Sequence, residues 1–155
     1  MRRLHITLVG VLAASLVAAA LAGTASASAP MQASGTFTQS VFNETLIKQV
    51  GGTSYYASHD TQTFTGTFAG TQTFDGIIQI SADGSIKWAG KATFTGSVAG
   101  CGSGTVVMLE AGTADSMTGP AHCDHLLIGG SLPVRGLLDL KGVLGNFNYS
   151  GSYSC

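Results

Sequence analysis

Ser85-Ile86-Lys87-Trp88-Ala89-Gly90-Lys91-Ala92-Thr93-Phe94-Thr95-Gly96-Ser97-Val98-Ala99-Gly100 decides the fold. Ile86, Trp88, Gly90, Ala92, Phe94, Gly96 and Val98 fall on one face, with Ser85, Lys87, Lys91, Thr93, Thr95 and Ser97 on the other. A period of two belongs to a strand, whose successive side chains point to opposite faces. The stretch therefore predicts one long, half-buried strand, bent at its glycines.

The same period recurs outward from it. Between Thr61 and Ala69, Phe64, Gly66 and Phe68 oppose Thr61, Thr63, Thr65 and Thr67; near the start, Gly35, Phe37, Gln39 and Val41 oppose Ser34, Thr36, Thr38 and Ser40. Such alternation marks sheets packed on one face and wet on the other. Asp83-Gly84, between Ile77-Ile78-Gln79-Ile80 and Ile86, is a hairpin signal, because glycine accepts the positive φ of a tight turn. Further strands are expected near residues 46–50, 105–111, 122–128, 135–141 and 147–153. Two echoes stand out: Thr63-Phe64-Thr65-Gly66 with Thr93-Phe94-Thr95-Gly96, and Thr61-Gln62-Thr63-Phe64 with Thr71-Gln72-Thr73-Phe74. They stop after Gly100, so they are similar strands under one packing demand and not a solenoid. The reading is all-β: a single small antiparallel, calycin-like barrel of roughly eight or nine strands, closed so that no long edge is exposed.

The first residues are of another kind. Arg2 and Arg3, an apolar run from Ile6 to Leu21 and the small residues Ala25-Ser26-Ala27 have the order of a secretory signal. Pro30 directly after Ala29 disfavours the second small-residue site, so cleavage is expected after Ala27. Residues 1–27 are then the signal and 28–155 the barrel domain, exported from a bacterial cell. The apolar run is shorter than the roughly 20 residues that span a bilayer, so no integral membrane anchor is expected. Without Arg2 and Arg3, five basic residues face eight acids, a net charge of −3. That balance argues against a nucleic-acid partner.

From Ser34-Gly35-Thr36-Phe37 through Phe64-Thr65-Gly66, Asp83-Gly84 and Gly102-Ser103-Gly104 to Gly136-Leu137-Leu138-Asp139-Leu140-Lys141-Gly142, the chain resembles an uncharacterised bacterial domain family. That family is thought to share the small barrel of plant allene oxide cyclases. The resemblance implies the barrel, suggests a cyclase or isomerase as one function, and carries over no catalytic residue.

Cys101, Cys123 and Cys155 would reach an oxidising compartment, where one bridge is expected and one thiol is left over. Cys101 with Cys123 is the favoured pair, because they flank an expected hairpin; Cys123 with Cys155 comes next. His122-Cys123-Asp124-His125 is the densest ligand-like cluster. On a strand, however, His122 and Asp124 point one way and Cys123 and His125 the other, so the four cannot converge. No metal or other cofactor is expected, with His122 and His125 the weak candidates. Ser58-His59-Asp60, or His125 with Asp115-Ser116, would suit a hydrolase only on paper, since no nucleophile-elbow pattern accompanies them. Gly100-Cys101-Gly102-Ser103-Gly104 reads as a turn, because a strand and not a helix follows it. Glu110 is the one candidate for acid–base chemistry. Placed inward it would have a raised pKa; the run Val106-Val107-Met108-Leu109 is apolar on both faces, and a surface position is the expected one.

The inner face combines Phe37, Phe64, Phe68, Phe74, Trp88 and Phe94 with Gly66, Gly90 and Gly96. Glycines among rings either let the rings interlock or leave a cavity. If a cavity is left, these six aromatics would bind a small apolar or amphipathic ligand at the barrel mouth. The alternatives are the cyclase-type enzyme and an envelope or matrix protein with no ligand.

Overall fold

The computed structural model describes residues 29–155. The expected signal, residues 1–27, lies outside the described residues. Nine strands run β1 (Met31–Val41), β2 (Glu44–Val50), β3 (Thr53–Gly66), β4 (Phe68–Ile80), β5 (Ile86–Val98), β6 (Gly102–Ala114), β7 (Pro120–Gly129), β8 (Arg135–Val143) and β9 (Asn146–Ser154). All ladders are antiparallel, in the order β1-β9-β8-β7-β6-β5-β4-β3-β2, and β1 also pairs with β3. That last pairing closes an eight-stranded barrel of β1 and β3 to β9, with β2 an added edge strand on the first half of β3.

The deciding stretch becomes β5, with Ile86, Ala92, Phe94 and Val98 buried and Lys87, Lys91, Thr95 and Ser97 exposed. The Asp83-Gly84 hairpin forms as read: Gly84 takes φ 85°, and Asp83 Oδ1 accepts from the Ser85 N–H at 2.9 Å. One expected strand divides. Residues 61–69 do not run straight, because the chain reverses at Gly66 (φ 98°) and β4 begins at Phe68. Alternation could not reveal this turn, since Phe64 and Phe68 keep the same parity across it.

The barrel has a packed end and an open end. At the packed end Phe64, Phe68 and Phe94 are at most 1% exposed, and Phe68 meets Tyr149 and Tyr153 edge-on. Here the glycines let rings interlock. Gly70 pairs with Gly96 across the ladder, and the Phe94 ring lies against both positions. Nearer the other end, Gly76 pairs with Gly90 and Phe74 covers both, while Trp88 lies over Gly112.

The disulfide joins Cys101 to Cys155, with Cα atoms 5.9 Å apart, and Cys123 is a buried free thiol. This corrects the expected Cys101–Cys123 pair. Cys101 lies in the β5–β6 turn at the packed end, whereas Cys123 pairs with Gly112, eleven positions along. At about 3.3 Å per residue that is far beyond bridging reach. Cys155 follows β9 directly and comes back to the β5–β6 turn, where Tyr153 Oη donates to Ala99 O at 2.7 Å.

Candidate functional site

The open end holds a cavity of about 130 Å³. Phe37, Phe74, Ile78, Ile86, Trp88 and Phe147 form its apolar wall, and the exposed Phe42 and Met117 stand at its rim. Of the six aromatics expected to bind ligand, Phe37, Phe74 and Trp88 line this cavity. Phe64, Phe68 and Phe94 fill the packed end instead.

Polar residues at inward positions make the floor. Glu110 is 5% exposed and lines the cavity, so the expected surface position is corrected. Its place follows from the ladder: Glu110 has the parity of Val106 and Met108, both fully buried. Trp88 Nε1–H donates to Glu110 Oε1 at 3.0 Å, and Gln72 Nε2–H donates to Oε2 at 3.0 Å. The expected raised pKa is corrected as well. Burial pushes the carboxyl up, but the neighbouring His125 imidazole and the hydrogen bond from Trp88 outweigh it and hold Glu110 below the usual carboxylate range. Glu110 is thus held as an anion, and not as the proton donor expected of an acid catalyst.

Gln62 and Gln72, neither singled out by the sequence, meet across the β3–β4 ladder, with Gln72 Nε2 donating to Gln62 Oε1 at 2.9 Å. The echo Thr61-Gln62-Thr63-Phe64 and Thr71-Gln72-Thr73-Phe74 is the signal that could have found them. Its two glutamines are register partners, and each has the inward parity of the phenylalanine two residues on. Nearer the rim, Asp60 is 2% exposed and accepts from Ser58 Oγ at 2.6 Å, Gln39 Nε2 at 2.8 Å and the Asn43 N–H at 3.1 Å.

The cluster at residues 122–125 divides as alternation requires, and each half finds a carboxylate from another strand. Outward, His122 Nε2 lies 2.9 Å from Asp139 Oδ1, with Asp124 3.7 Å away. The Lys141 ammonium beside Asp139 leads the effects that hold that carboxyl below its usual range. Inward, Cys123 and His125 join Glu110. His125 Nε2 is 3.2 Å from Glu110 Oε2 but off the line of a hydrogen bond, and among the described residues neither ring nitrogen of His125 has a hydrogen-bond partner. Burial first, and the Glu110 charge second, push the Cys123 thiol far up. The paper hydrolase arrangements do not form. His59 turns outward to Asp75 at 2.6 Å while Ser58 and Asp60 turn inward, and Asp115 is not among the partners of His125. Residues 100–104 form the β5–β6 turn and the first residues of β6.

No protein-family model matches the chain, and no curated protein matches it. Among solved structures it is similar to a protein of unknown function from the DUF3224 family of Shewanella oneidensis MR-1. The identity is 18% over 81% of this chain and 96% of the other, with a TM-score of 0.59. The likeness supports a barrel shared with an uncharacterised domain family, and it gives no support to the allene oxide cyclase comparison. At this identity it speaks to fold alone.

Proposed function

We propose that the protein is an extracytoplasmic barrel that takes a small amphipathic molecule into its open end, apolar body against the aromatic wall and a cationic or hydrogen-donating head toward the acidic floor. The observation that carries this reading is the cavity lining: Glu44, Asp60 and Glu110 take part in it, and among the described residues no lysine or arginine does. Opposite charge within a partly desolvated site favours donors and cations and disfavours carboxylates. The size suits one ring, being close to the cavity of about 150 Å³ that admits benzene in another protein. Export is supported by the signal-like residues 1–27 and by the Cys101–Cys155 bridge. An envelope protein without a ligand would need no such cavity.

Trp88 is the single tryptophan and lines the cavity, so its fluorescence reports occupancy directly. Titration of the chelator-treated protein with benzylamine is expected to give a saturable change, benzyl alcohol a weaker one and benzoate none. Glu110→Gln should weaken benzylamine about tenfold, or ~1.4 kcal/mol. Equal binding of benzoate, or no saturable change with any of the three, overturns the reading.

A further inference from the structure

Glu110 and His125 are register partners on β6 and β7, and Cys123 lies two residues from His125 on the same inward face. The ladder thus gathers a carboxylate, a thiol and an imidazole, whose ligand atoms all lie within 4.8 Å of one another. The His125 side chain is 0% exposed and that of Glu110 4%. A wholly buried imidazole with neither nitrogen hydrogen-bonded among the described residues calls for a further partner, because buried polar groups in folded proteins are almost always paired. The spacing agrees. Nitrogen and oxygen ligands each ~2.0–2.1 Å from a tetrahedral ion stand about 3.3 Å apart. His125 Nε2 and Glu110 Oε2 are 3.2 Å apart without the alignment of a hydrogen bond. Trp88 and Gln72 hydrogen-bond the carboxylate oxygens, as outer partners of metal ligands do.

We propose that Glu110, Cys123 and His125 form a zinc site with three protein ligands, its fourth position opening on the cavity that Glu110 and Cys123 line. Zinc fits this set because it takes sulfur, nitrogen and oxygen together, whereas magnesium and calcium take oxygen alone. On binding, the Cys123 S–H bond breaks, its proton passes to solvent, a Zn–S bond forms and no electron is transferred. The exposed trio His122, Asp124 and Asp139 differs: it lacks a thiol, its imidazole is already paired, and Lys141 is paired with one of its two carboxylates. The inference does not rest on the cavity holding an organic ligand.

The test strips the purified protein with a chelator, adds zinc or cobalt(II), and removes unbound metal. One zinc per chain should remain, and cobalt should give the intense visible bands of a tetrahedral ion with a thiolate-to-cobalt transition in the near ultraviolet. Cys123→Ser should remove that transition and weaken zinc about a hundredfold or more, beyond the ten- to hundredfold typical of outer partners. His122→Ala should leave both unchanged. No retained zinc, cobalt spectra without the thiolate transition, or binding lost in His122→Ala would each overturn the proposal. The cobalt spectrum of the unaltered protein decides even if the Cys123 variant fails to fold.

Discussion

Tyr149 shows what one inward polar residue does here. Its hydroxyl accepts from the Phe68 N–H at 2.9 Å and donates to Thr65 O at 2.9 Å, pinning the turn between β3 and β4. Burial pushes its phenol up, so it stays protonated and able to donate. Tyr149→Phe deprives the Phe68 N–H and the Thr65 carbonyl of this hydroxyl inside the packed end and should cost about 1–3 kcal/mol in urea unfolding. No such role is legible from the sequence, where Tyr149 is one more aromatic at an inward position. The site itself was half legible. Glu110 and His125 stood out by residue type, and parity correctly set Cys123 and His125 apart from His122 and Asp124. The inward placement of Glu110 was hidden, because Leu109 on the outer face is as apolar as Met108 on the inner one. Cys123 was assigned to a bridge because spacing along the chain cannot show which end of the barrel a residue occupies.

Among the elements, β4 and β5 depend on absent side chains. A Cβ at Gly90 would stand 2.3 Å from Asp75 O and 2.7 Å from the Phe74 ring, and the nearer atom is backbone that cannot yield. Gly90→Ala should therefore destabilise by about 1–3 kcal/mol through overpacking. At Gly84 a Cβ would meet nothing within 4 Å, yet φ is 85°, so Gly84→Ala should cost about 1–2 kcal/mol from backbone strain alone. Calorimetry of both variants separates the two causes: a second substitution, Phe74→Leu, should relieve part of the first and none of the other. Strands β1 and β5 were readable because wet and packed faces alternate, and β6, β7, β8 and β9 as runs set apart by glycine-rich turns. The first half of β3 was not, since Tyr55 and Tyr56 are half-buried on both sides. The entirely exposed β2 has no inner face to read beyond its apolar composition.

In the whole molecule, closure and cross-linking meet at one end. The Cys101–Cys155 bridge spans 54 positions, and a loop of that size restricts the unfolded chain by about 4 kcal/mol. Cys155→Ser should lower the melting temperature on the order of 10 °C, read by circular dichroism with and without reductant, while leaving the Trp88 cavity formed. The barrel was legible as a class because short alternating strands with tight turns leave few other architectures. Closure was legible with it; which strands close the barrel was not, because the β1–β9 and β1–β3 pairings join residues far apart in sequence. That closure also sets an order of events as the chain folds. β1 can take its place on β3 early and β8 can follow β7, but the gap between β8 and β1 is filled only by residues 146–154. Until they dock, the folding sheet shows two unpaired edges at once, open to neighbouring chains. A message cut short before codon 146 would thus leave the product with those edges permanently bare and without Cys155 to fasten them.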